Sequence, residues 1–148
     1  MVNLFGTEVA PVVAFILVGE IVILAVFVGA WILARLHRGR HHHYVMWAAF
    51  LVDMLVFKPL MISRAFEVYG PYPWPGTGIP IHFWLDAGVV VVGVASFVTA
   101  YKYRVKKNGK MFLPRKGRIH KLLGYLFIIL WAATLAEGIR IFAVFYLG

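Results

Sequence analysis

Four mostly apolar stretches divide the chain, at about 10–35, 45–64, 81–103 and 119–147, and polar or turn-forming connections separate them. At about 1.5 Å of rise per residue, helices of this length suit a hydrocarbon layer ~30 Å thick. The pattern predicts an all-α integral membrane protein, a single four-helix transmembrane bundle over residues 1–148. The last stretch is the most informative. It opens with Arg118-Ile119-His120-Lys121, and at about 100° per residue His120, Gly124, Phe127, Trp131 and Gly138 fall on one face. Such a face suits a planar cofactor or a closely packed neighbour.

Composition supports the membrane reading and narrows the chemistry. The 148 residues are 62% hydrophobic and 16% aromatic, with a positive mean hydropathy. The absence of cysteine excludes disulfides, thiolate metal sites, iron–sulfur clusters and covalently attached haem. Neither an elbow of the type Gly-x-Ser-x-Gly nor a phosphate-cradling glycine loop is present. Met1 to Glu8 contains no Lys or Arg, so the first stretch reads as a retained helix rather than a secretory signal.

The net charge of +9 is concentrated in two connections. Arg35, Arg38 and Arg40 fill the first, a run of Lys and Arg from Lys102 to Lys121 fills the third, and the second, 65–80, has none. The positive-inside rule therefore predicts a multi-pass cell-membrane protein with loops 36–44 and 104–118 cytoplasmic, and loop 65–80 and both termini outside. The basic loops are expected to rest on anionic lipid headgroups, and no nucleic-acid partner is implied. Tyr72 and Trp74, among prolines and glycines, suit a stiff cap at the outer interface.

Ionisable residues inside the apolar stretches are the first candidates for function, because hydrocarbon tolerates them only when paired or neutral. Glu20 lies near mid-bilayer in the first helix, Asp53, Lys58 and Arg64 interrupt the second, Asp86 lies in the third, and Glu137 and Arg140 lie in the fourth. Pro59 is expected to kink the second helix. These seven residues are expected to form a polar network, which either fixes helix packing or binds an acidic headgroup, a quinone or a haem propionate. His82 and Asp86, one turn apart, can share a metal, or the carboxylate can orient the imidazole.

Histidines form a second group. His41-His42-His43 lies in what reads as a basic interfacial turn, and consecutive residues cannot all reach one ion. One of them at the mouth of the second helix can still turn inward, and from His43 a stripe runs through Trp47, Phe50, Met54 and Met61. His42 or His43 and His120 share a depth on different helices. Two imidazoles facing across a bundle are the geometry of bis-histidine haem, although interfacial histidines also contact headgroups.

The same landmarks carry a family resemblance: His42 to Ala49 opening the second helix, Ser63-Arg64 closing it, His82 to Gly93 in the third, and His120-Lys121 with Gly124, Trp131, Gly138 and Tyr146 in the fourth. The chain resembles a family of small four-helix membrane proteins of long-unassigned function that includes the CtaM-type maturation factor for haem-copper terminal oxidases. The charges at Asp53, Lys58, Asp86, Glu137 and Arg140 depart from that family's pattern. The resemblance implies an accessory or assembly protein of a haem-copper oxidase or another respiratory membrane complex, not an enzyme on its own. Haem b would be the cofactor, with copper second, held by His120, His42, His43 and His82. The competing expectation is a cytochrome b-like subunit for electron transfer or quinone chemistry.

Overall fold

The computed structural model describes residues 2–4, 7–36, 39–70, 79–107, 110–112 and 118–146. Its helices are α1 (Pro11–Arg35), α2 (Gly39–Val52), a π-helical segment (Asp53–Phe57), α3 (Lys58–Tyr69), α4 (Ile79–Tyr103) and α5 (Arg118–Tyr146). Two short antiparallel hairpins accompany them, β1 (Val2–Leu4) with β2 (Thr7–Val9) and β3 (Val105–Lys107) with β4 (Lys110–Phe112). Because α2, the π segment and α3 run on without a break, the described chain has four helices long and apolar enough to cross a membrane.

Local chemistry explains the boundaries. Pro11 occupies the first turn of α1, where its missing N–H costs no helical bond. Gly70 ends α3 at φ 73°, a left-handed conformation open to glycine, and its N–H reaches the Phe66 carbonyl at 3.0 Å. The second long helix extends beyond 45–64 at both ends. No glycine or proline interrupts 40–58, so the histidine tract lies on the first turns of α2, and the helix takes up most of the expected loop 36–44. It also continues through 65–69 until Gly70. The remainder of the expected outer cap, 71–78 with Tyr72 and Trp74, lies outside the described residues, as do Arg38 and 113–117.

The disturbance expected at Pro59 takes the form of a π turn just before it. Lys58 N–H reaches back to the Asp53 carbonyl, five residues away, so one extra residue is accommodated where proline withdraws a donor. This changes which side chains share a face. In a regular α-helix Asp53 and Lys58 would point about 140° apart. The wider turn brings positions five apart close to alignment, and both side chains are buried.

α4 packs along α5 and α1 along α2, while α1 also meets α5 and the π segment. Ala14, Leu17, Glu20, Ile23, Phe27 and Ala30 form the buried stripe of α1 at three- and four-residue spacing. Phe27 meets Phe127 and Trp131 edge-on at centroid distances of 4.9 and 5.5 Å, and Ile23, Ala49, Phe50, Phe57 and Val89 complete this core. Gly93 admits the Phe50 and Phe127 rings, since a β-carbon there would stand 2.8 and 3.0 Å from them. The α5 face expected to meet a flat partner is divided in use. Phe127 and Trp131 are core, Gly138 meets the His82 ring, and Gly124 has nothing within 4 Å of a β-carbon position.

Candidate functional site

Two polar regions stand at opposite ends of that aromatic core. The first surrounds Lys58. Its ammonium lies 2.9 Å from Asp86 Oδ1, 3.3 Å from Glu20 Oε1 and 3.5 Å from Asp53 Oδ1, so α1, the π segment and α4 all supply it with a carboxylate. Asp53 is fully buried, and its other oxygen accepts a hydrogen bond from Trp131 Nε1 on α5 at 3.3 Å. Lys58 also stands over the Trp131 ring, 5.9 Å from its centroid. Each of the four helices long enough to cross a membrane thus contributes to one buried cluster.

Three carboxylates around one ammonium carry more acid than base. His82 borders the cluster, with Nε2 3.9 Å from Asp86 Oδ2 and its ring against Gly138. The expected metal pair His82–Asp86 is therefore turned towards an ammonium, which stands where a cation would bind. Among the described residues no group of three or more His, Asp or Glu is arranged to hold a metal ion.

The expected seven-member network divides. Glu20, Asp53, Lys58 and Asp86 converge. Arg64 pairs with Glu67 on its own helix at 2.9 Å, and Arg140 holds both oxygens of Glu137 at 2.6 and 2.7 Å across three residues of α5. For Arg64 and Arg140 a partner less than one turn away competes with longer reaches across the bundle.

The second region gathers His42, His43 and His120. Their ring centroids stand 5.1 Å (His42–His43), 5.9 Å (His43–His120) and 6.4 Å (His42–His120) apart. His42 Nδ1 meets the Ala30 carbonyl of α1 at 2.8 Å, and His120 Nδ1 meets the Ser96 carbonyl of α4 at 2.9 Å, with Ser96 Oγ at 3.2 Å. A carbonyl can only accept, so in both residues Nδ1 carries the proton in these contacts. In the neutral ring, Nε2 then keeps its lone pair. Among the described residues neither Nε2 has a hydrogen-bond partner. The arrangement can therefore present imidazole nitrogens to an external acceptor of electron pairs, with the rings fixed from behind as metal-binding histidines usually are.

Sequence reasoning did not reveal the two backbone anchors, Ala30 and Ser96, because a carbonyl leaves no trace in residue type. No protein-family profile matches the chain, and neither a functionally described protein nor a solved structure matches it.

Proposed function

We propose that this protein is a membrane-embedded cofactor holder. His120 with His42 or His43 would bind haem iron at the basic end of the bundle, and the protein would serve the assembly or upkeep of a haem-copper terminal oxidase. The observation that carries the first half is the meeting of three imidazoles from two helices, two of them anchored through Nδ1 to carbonyls of two further helices. The second half rests on the family resemblance of the sequence.

The donor set fits the group. Imidazole nitrogen is an ordinary ligand of haem iron, and two rings from different helices within reach of one ion would hold it. His120 lies at 5.9 and 6.4 Å from its two neighbours. When bound, haem would supply reversible one-electron chemistry or transferable iron porphyrin. The chain's own residues hold the rings: the Ala30 and Ser96 carbonyls fix the tautomers of His42 and His120. On this reading the basic ends face the cytoplasm, with loop 65–80 and the termini outside, and membrane lipids and an oxidase are the partners.

The second reading, a cytochrome b-like electron-transfer subunit, is favoured by the Lys58 cluster at the far end of the same core, where a quinone's oxygens would find both a cation and carboxyl groups. Absorption spectroscopy of the purified protein and of His120→Ala tests both. A reducible Soret band lost in the variant supports haem. Stoichiometric, redox-cycling haem favours the cytochrome, and haem that passes to an apo-acceptor favours the assembly role. Failure of the wild-type protein to bind added haem would overturn both readings.

A further inference from the structure

Beside the histidines, α2 and α4 part to leave a half-open cleft of about 610 Å³. Its floor is aromatic. Trp47 stacks on Phe97 at 4.1 Å and 21°, and Phe50 meets Phe97 edge-on at 5.3 Å. Its rim is cationic, made by Arg40, Lys102 and Arg104. Counted from Arg40 to Trp47 and from Lys102 to Val94, the cleft descends on the order of 10 Å from the charged rim into apolar lining. It opens on the outside of the bundle, where Tyr101 and Val98 are well exposed, so a ligand can reach it sideways from the bilayer.

The rim cations have no acid to answer them. Among the described residues none of the three forms an ion pair. Arg104 lies over the Tyr101 ring at 4.0 Å, Arg40 over Tyr44 at 5.7 Å and Lys102 over Tyr103 at 5.8 Å. The lack is built into the sequence, where no Asp or Glu occurs between Glu20 and Asp53 or between Asp86 and Glu137. All but three of the fifteen Lys and Arg lie in those two intervals. Neutralisation at this end must come from outside the chain, and the cleft's shape, charged above and apolar below, selects an amphiphile.

We infer that the cleft between α2 and α4 seats one anionic phospholipid from the leaflet at the basic end, its phosphate between Arg40, Lys102 and Arg104 and an acyl chain along Trp47 and Phe97. Aromatic rings beneath the guanidinium groups keep the rim open to phosphate rather than closing it with a carboxylate. The inference does not rest on haem, since Arg40, Lys102, Arg104, Trp47 and Phe97 are not the proposed iron ligands, although His43 lines the same cleft.

The test is native mass spectrometry of the full chain released from nanodiscs of phosphatidylcholine mixed with phosphatidylglycerol. The wild-type protein is expected to retain one phosphatidylglycerol, and Arg40→Gln/Lys102→Gln/Arg104→Gln to retain it roughly tenfold less or weaker still. Arg118→Gln/Lys121→Gln, which removes charge from the same end but not from the rim, should retain it as the wild type does. Trp47→Ala should retain less of either lipid while keeping the preference for the anionic one. Equal retention by the rim variant, no preference between the two lipids, or a porphyrin or a second copy of the chain in place of the lipid would each overturn the inference.

Discussion

The Lys58 cluster and the histidine cluster are both polar regions in an apolar bundle, yet they are completed in opposite ways. Around Lys58 the chain supplies both signs of charge, and the ammonium, three carboxylates and the Trp131 N–H answer one another within 3.5 Å. Around His120 the chain supplies only donors of electron pairs, fixed from behind by backbone carbonyls, under a rim of cations without acids. A region that supplies its own counter-charges holds helices together, whereas one that lacks them is open to something that arrives. Stability and ligand binding should therefore separate between the two ends.

The largest effect is expected at Lys58. Lys58→Met leaves three carboxyl groups facing one another without a cation, and breaking a buried pair from one side costs about 3–5 kcal/mol. Thermal or SDS unfolding followed by circular dichroism should show this loss. Adding Asp86→Asn should restore part of it, because the nearest carboxylate is removed with its partner. A Lys58→Met protein that unfolds like the wild type would place the charges on the lipid side of the stability account and dissolve the contrast.

Trp131→Phe comes next. It keeps most of the ring that packs on Phe27 and removes the N–H that binds Asp53. A hydrogen bond to a charged acceptor contributes about 1.5–3 kcal/mol, so roughly that loss is expected in the same unfolding measurement. Lys58→Met/Trp131→Phe should lose less than the sum of the single losses, since both act on Asp53.

His120→Ala should behave differently. It removes one hydrogen bond to the Ser96 carbonyl, which still accepts Thr99 Oγ1 at 2.9 Å, so no buried acceptor is stranded. A cost of about 1 kcal/mol is expected, together with complete loss of any bis-histidine haem spectrum. Large destabilisation without a spectral change would make the histidines structural.

These contrasts show which features a reader of the sequence can reach. The four long apolar helices are visible because twenty or more apolar residues in a row have few other uses, and Glu20, Asp53, Lys58 and Asp86 stand out because apolar surroundings make each of them costly alone. Their convergence is harder to see, for it depends on the π turn, and a wheel drawn at 100° per residue turns Asp53 away from Lys58. Proline marks the site of the irregularity without specifying its form. Arg64 and Arg140 look like network members from their depth, but Glu67 and Glu137 three residues away on the same helices bind them first. At the other end the histidines are visible and their anchors are not, since Ala30 and Ser96 act through their carbonyls.

That last point yields the smallest effect and the sharpest test of the histidine geometry. Ser96 offers His120 both a hydroxyl, at 3.2 Å, and a carbonyl, at 2.9 Å. If the hydroxyl fixed the ring, Ser96→Ala would free it. The carbonyl is closer and accepts only, and it survives any substitution that leaves α4 helical. Alanine is moreover the better helix former. Ser96→Ala is therefore expected to change stability by less than about 0.5 kcal/mol, and to leave the ¹⁵N shifts of His120 reporting a proton on Nδ1. A switch to the Nε2–H tautomer would mean that the hydroxyl, not the backbone, sets the lone pair, and the fixed nitrogen on which the ligand site depends would then hang on one replaceable side chain.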